Sequence, residues 1–160
     1  MLGCSAAYNL NPGSSRRETL RRLDHAAIFL MIAGTYTPFT TRMPSPTWAM
    51  SMTGSVWVLA VLGVIATLRY QHRIERIDLA LYLAFGWIIV VAWRPLLSGI
   101  DSKTAALIVS GGIVYTIGAG VHAWRGLQFQ KAIWHGLVLI AAGCHYTAVM
   151  RGVLSPANAM

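Results

Sequence analysis

Five polar side chains stand out against an apolar background. Ser5 and Asn9 are four residues apart, as are Lys131 and His135, so each pair shares one face of a helix. Asp24 sits at the head of a third apolar segment, Leu23-Asp24-His25-Ala26-Ala27-Ile28. Brought together, these residues would gather a hydroxyl, an amide, a carboxylate, an ammonium and an imidazole at one edge of a membrane. Charge beside hydrocarbon is costly, so residues of this kind line a site or a pathway. Asp24 also has a simpler account, because a carboxylate at a helix start is favoured by the helix dipole.

The elements that would carry these groups follow from composition. The chain has 160 residues, of which 56% are hydrophobic and only 11% charged, against about one quarter charged in soluble domains. Five stretches have the length of a bilayer crossing or close to it, at 25–42, 48–68, 78–97, 104–123 and 132–151. Residues 1–10 read as the end of a further, incomplete helix, closed by Asn11-Pro12-Gly13. The basic stretch through Arg22 reads as a short interfacial helix ahead of the first full span. The predicted fold is one all-α polytopic transmembrane helical bundle, with no room for a second domain.

A net charge of +8 would suggest nucleic acid in a soluble protein, but here the basic residues lie between apolar spans. Nine of them (Arg16, Arg17, Arg21, Arg22, Arg69, Arg73, Arg76, Arg125 and Lys131) fall on one side and four (Arg42, Arg94, Lys103 and Arg151) on the other. This excess places the first basic segment in the cytoplasm. The expected partners are membrane lipids, not nucleic acid. Trp48, Trp93, Trp124 and Trp134 lie near span ends, where aromatic rings meet the water–lipid boundary. Gly112, Thr116 and Gly120 form a small-residue face, suited to packing inside the bundle or to a homo-oligomer contact. Tyr36 and Tyr115 fall in mid-span and need hydroxyl partners, helix–helix hydrogen bonds before catalysis. Cys4 and Cys144 form no CxxC and read as small apolar side chains.

Several segments are more specific. Ser5-Ala6-Ala7-Tyr8, Asp24-His25-Ala26-Ala27-Ile28, Ala33-Gly34-Thr35-Tyr36-Thr37-Pro38-Phe39, Tyr82-Leu83-Ala84-Phe85-Gly86-Trp87, Gly111-Gly112-Ile113-Val114-Tyr115 and Ala132-Ile133-Trp134-His135-Gly136 with Cys144-His145 follow one another along the chain. In that order they resemble the hemolysin III family of bacterial membrane proteins, related to the progestin and adipoQ receptors. The resemblance implies a seven-helix fold with a cytoplasmic N-terminus in a bacterial plasma membrane. By that comparison this chain lacks the first helix and most of the second.

The resemblance also implies a zinc ion near the cytoplasmic face, held by three histidines from an S-x-x-x-H and an H-x-x-x-H motif, with an aspartate and the serine beside it. Such a centre resembles that of membrane ceramidases and suits hydrolysis. Matched by position, Ser5 and Asp24 are the family's serine and aspartate and so the catalytic candidates. His135 is the retained metal-ligand position, with Asn9 and Lys131 in place of the other two histidines. An amide and an ammonium are poor replacements for imidazoles, so a degenerate zinc site and no bound cofactor are expected. Lys131 then has two readings: a point cation in zinc's place opposite Asp24, or a side chain snorkelling to headgroups. His122, His25 and His145 are accessory candidates. His122 can approach His135, His25 points to a different face from Asp24, and His145 lies ten residues beyond His135, about 15 Å along a helix. The family label implies membrane permeabilisation or channel-like activity, or membrane homeostasis. The alternatives are a zinc-dependent lipid-amide hydrolase, degenerate here, and a non-catalytic sensor.

Overall fold

The computed structural model describes residues 2–74, 78–124 and 126–154. Arg76 and Arg125 lie outside the described residues, as do the side chains of His72 and Arg73. The described elements are helical: α1 (Leu2–Leu10), α2 (Arg17–Thr40), α3 (Pro46–Ile74), α4 (Asp78–Gly86), a 3-10 turn (Ile88–Ala92), α5 (Trp93–Leu97), α6 (Ser102–Ala123) and α7 (Gln130–Leu154). Among the described residues, four segments are long and apolar enough to cross a membrane: Pro46–Arg69, Leu79–Leu97, Ser102–Ala123 and Gln130–Gly152. The first expected span, 25–42, lies largely within α2 and is less apolar, because His25, Thr35, Tyr36 and Thr37 interrupt its hydrocarbon.

The outer surface of the bundle is itself apolar. Along α3, Val58 and Leu62 are 58% and 57% exposed, and on α7 Leu139 and Ile140 are 59% and 58% exposed. Contiguous apolar surface of this kind is stable against lipid and not against water. The core runs between α2, α3 and the broken span, where Phe29, Tyr36, Phe39, Val56, Phe85, Ile89 and Leu96 are buried. Phe29 meets Tyr82 edge-on at 4.9 Å and lies 6.1 Å from Phe85. Gly63 leaves the space that the Phe29 ring fills: a Cβ there would come within 2.5 Å of that ring.

Four sequence expectations change. The basic stretch is not a separate interfacial helix, because α2 begins at Arg17 and runs on without a break. Glu18 occupies its first turn and bonds Arg21 and Arg22. Asp24 therefore sits two turns inside the helix, and the dipole account of it fails, since that effect fades within the first turn. The expected continuous span at 78–97 is broken into α4, the 3-10 turn and α5. Pro95 offers no N–H to close the helical turn before it, and Gly86 ends α4. Tyr36 repairs the gap: its hydroxyl donates to the Gly86 carbonyl at 2.6 Å and accepts from the Ile89 amide at 3.1 Å. Finally, Arg69 lies within α3 and not in a connection.

The far end of the bundle is clasped by polar contacts. Asp101 caps α6 by accepting from the Thr104 amide at 2.8 Å and pairs with Arg151 of α7 at 3.0 Å, while Arg42 donates to the Gly152 carbonyl at 2.7 Å. Hydrogen bonding from Thr104, then the Arg151 guanidinium, holds the Asp101 carboxyl well below its usual 3.8, at about 2. A carboxylate with a lowered folded value contributes stability above its unfolded value and loses it as pH falls through the folded one. Between pH 3.8 and about 2 the melting temperature should therefore fall more steeply in the parent than in Asp101→Asn, which keeps a capping side chain without the charge. Parallel acid-side slopes would count against this role.

Candidate functional site

The opposite end of the bundle brings together residues far apart in sequence. Arg22 of α2 donates to the Leu68 carbonyl near the end of α3, and Tyr82 of α4 donates to the His25 carbonyl. The start of α2, the end of α3 and the start of α4 therefore share one level. α6 ends there at Ala123, and the Gln130 side-chain amide at the head of α7 donates back to the His122 carbonyl. α1 packs against α2 at this same end, with Arg17 over the Tyr8 ring.

The centre is the contact between α1 and α7. Ser5 Oγ lies 2.8 Å from His135 Nε2, across 130 residues of chain. The other ring nitrogen, Nδ1, lies 2.7 Å from the Lys131 carbonyl. A carbonyl oxygen only accepts, so Nδ1 carries hydrogen, and in a neutral imidazole Nε2 is bare and accepts from the Ser5 hydroxyl. The i, i+4 spacing thus acts twice on α7: it orients the ring through a backbone bond and sets Lys131 beside it. On α1, Asn9 Nδ2 donates to the Ser5 carbonyl at 2.9 Å and stands 3.4 Å from Ser5 Oγ. Ser5 is buried to 5% exposure, whereas Asn9 and Lys131 are exposed.

Asp24 completes the group. It is half-buried, lies close to Ser5, and interacts electrostatically with His25 and His135. Ser5, Asn9, Lys131 and His135, with Ala6 and Leu10, line an open groove of about 380 Å³. The arrangement holds a hydroxyl, a base for its proton and a carboxylate to balance the resulting cation, with two N–H donors at the rim.

The accessory histidines divide. His122 and His25 lie within electrostatic range of each other, and both interact with groups of the centre. His122 also packs on Trp134, at 5.1 Å between rings. His145 is elsewhere: its Nε2 lies 3.1 Å from the Ile108 carbonyl and its ring packs on Tyr115. Trp134, partly buried near the start of α7, also lines a partly open cavity of about 90 Å³.

The donor set does not fit the three-histidine zinc centre that the resemblance implies. His135 supplies one imidazole, the Asn9 amide nitrogen has no lone pair free for a metal, and the Lys131 ammonium has none at all. Among the described residues no three His, Cys, Asp or Glu side chains converge as metal ligands. Ser5, Asn9, Asp24, Lys131 and His135, singled out by position in the sequence, lie at this one end of the bundle. Sequence reasoning did not find the direct Ser5 to His135 bond, which no spacing rule reports, nor the interior placement of Asp24.

The small-residue face is also clarified. Gly112 and Thr116 meet Trp87 of the same chain, whose indole donates to Thr116 Oγ1 at 3.0 Å, and Gly120 faces open space. The glycines that let α7 approach α6 are Gly111 and Gly118 instead.

Comparison with known proteins gives a consistent picture. Residues 1–146 match the family model described as Haemolysin-III related. The chain is 35% identical over 136 residues to Hemolysin-3 of Bacillus cereus, covering 85% of this chain and 62% of that protein. It is 31% identical over 134 residues to the Hemolysin-3 homolog of Bacillus subtilis (strain 168), covering 84% and 63%. Human Monocyte to macrophage differentiation factor is 28% identical over 148 residues, covering 86% and 60%. The matches thus span 60–63% of the length of these relatives. No solved structure gives a significant match.

Proposed function

Because the chain belongs to the haemolysin-III-related family of integral membrane proteins, we propose that it serves membrane homeostasis by engaging lipid headgroups at the groove between α1 and α7. The observation that carries this reading is the bond from Ser5 to His135, which closes a polar centre at the edge of an apolar bundle. The groove opens beside exposed Lys131, a point cation placed for a phosphate or carboxylate. The walls around it are apolar helices whose outer faces are suited to acyl chains. The end that carries the centre is also the end where the basic residues collect, and the positive-inside bias supports a cytoplasmic placement for it.

The names of the two bacterial relatives suggest permeabilisation as a second reading. A conducting path needs polar groups, or a gated constriction, along its length. Two partly open cavities, of about 90 and 60 Å³, have chiefly apolar walls, with Thr35, Tyr36 and His145 shared between them. That lining favours lipid engagement over ion passage.

The test uses the full chain reconstituted in vesicles of phosphatidylglycerol and phosphatidylcholine. Native mass spectrometry should find phosphatidylglycerol retained preferentially. Lys131→Gln should reduce that preference by about fivefold, the effect of one basic residue near a membrane surface. In intact cells, an impermeant thiol reagent should spare cysteines placed at positions 24 and 135 alike. Equal retention of both lipids, or dye leakage unaffected by Lys131→Gln, would favour the permeabilisation reading.

A further inference from the structure

The misfit of the donor set to zinc has a positive side. Both positions where a family ligand is replaced carry an N–H donor, Asn9 and Lys131, and both line the groove onto which Ser5 opens. The geometry points to a metal-independent acyl-transfer centre in which Ser5 is the nucleophile, His135 its general base, and Asn9 with Lys131 the donors to a developing oxyanion; its substrate class is a carboxylic ester at the membrane interface. This inference rests on the lipid-engagement reading for the source of that ester.

Each role follows from an atom already placed. The Ser5 hydroxyl points at a ring nitrogen that is bare because its partner nitrogen is engaged by the Lys131 carbonyl. That is the activated-nucleophile pattern: a hydroxyl within 2.6–3.2 Å of a base, with the base oriented by a third group. As Oγ bonds to the carbonyl carbon, its proton passes to Nε2 and the carbonyl electron pair moves onto oxygen. Asn9 Nδ2, 3.4 Å from Oγ, and Lys131, which lines the same groove, are the N–H donors offered to that oxygen. Collapse breaks the carbon–alkoxide bond, and the alkoxide takes the proton from Nε2 and leaves as an alcohol. Water, deprotonated in turn by Nε2, attacks the acyl carbon, and Ser5 recovers its hydrogen as the carboxylic acid departs. The net change is ester plus water to acid plus alcohol.

Asp24 is a positioning residue in this scheme, since its carboxylate lies within electrostatic range of His135 and favours the imidazolium that exists only after proton transfer. An alkoxide is a better leaving group than an amine and departs with the proton that the His135 imidazolium returns, so esters are the substrates this centre turns over most readily.

The experiment uses the intact chain in detergent micelles with a fluorophosphonate probe, and p-nitrophenyl octanoate as a turnover substrate. Peptide mass spectrometry should find the phosphonyl group on Ser5. His135→Gln should slow labelling by at least about 100-fold, the lower range for losing a general base, and Asn9→Ala by about 10- to 100-fold. The parent rate should be unchanged by a chelator. Unfolding midpoints within a few degrees of the parent would show that the variants remain folded. An unmodified Ser5 in the folded parent, labelling indifferent to His135→Gln, or loss of labelling with chelator would each overturn the centre. Phosphatidylglycerol retention without Ser5 labelling would reject this inference and leave the lipid-engagement reading in place. Labelling without retention would uphold the centre and reject the lipid as its ester source.

Discussion

Tyr36→Phe should lower the stability of the folded bundle by about 2–4 kcal/mol, although it removes a single oxygen. The hydroxyl sits between α4 and the 3-10 turn, donating to the Gly86 carbonyl and accepting from the Ile89 amide. Both backbone groups lie at membrane depth, where an unpaired amide or carbonyl has no water to turn to. Side-chain bonds between membrane helices average well below 1 kcal/mol, because the separated helices find other partners. That average concerns helices whose own backbone bonds are complete. Here the backbone is interrupted, and each orphaned group costs about 1–3 kcal/mol. Phenylalanine fills the same space beside Phe85, stacked 6.4 Å from Tyr36, so packing is preserved and the loss isolates the polar contribution. Unfolding in detergent measures the total, and hydrogen exchange at the Ile89 amide should accelerate more than at amides inside α6. A change under 0.5 kcal/mol with Ile89 still protected would mean that water or a shifted backbone replaces the hydroxyl.

The same residue shows how far the sequence can be read. A mid-span tyrosine must hydrogen bond, and that need is legible from hydropathy alone; its partners depend on a break near residue 87 that only the fold reveals. The signals of that break, Gly86 and Pro95, were both present, but an apolar run of bilayer length outweighs them in any windowed reading. Asp24 was misplaced for a related reason. The arginines from 16 to 22 look like a separate interfacial segment, yet nothing between Arg17 and Ala33 is Gly or Pro, so the helix starts earlier and carries Asp24 inward. The bundle itself was legible because its apolar runs are nearly uninterrupted. The pairing of Ser5 with His135 was not, since 130 residues separate them and helical spacing speaks only within one helix.

Three glycines of α6 should respond differently to the same substitution. Gly111→Ala should cost about 1–3 kcal/mol by overpacking. Its new Cβ would stand 2.4 Å from His145 Cδ2 and 3.2 Å from the Ala141 carbonyl, a side chain and a backbone atom of α7. The ring could swing aside only by giving up the Ile108 carbonyl and the face of Tyr115, and the α7 backbone can move only as a rod. Gly112→Ala should be nearly neutral, because its Cβ would meet Trp87 at an ordinary 3.5 Å. Gly120→Ala, with nothing within 4 Å, should be neutral or stabilising by up to about 1 kcal/mol, since alanine favours the helix. Thermal unfolding of the three variants separates these cases, and equal effects would show that α7 is not seated on Gly111. The consequence reaches the polar centre as well. His135 rides on α7 ten residues before His145, so a displaced α7 moves Nε2 relative to Ser5, which belongs to α1. A shift of about 1 Å in a reacting pair can cost a factor of about 100 in rate. Gly111→Ala should therefore slow Ser5 labelling strongly even where the bundle stays folded, while Gly120→Ala should leave it unchanged.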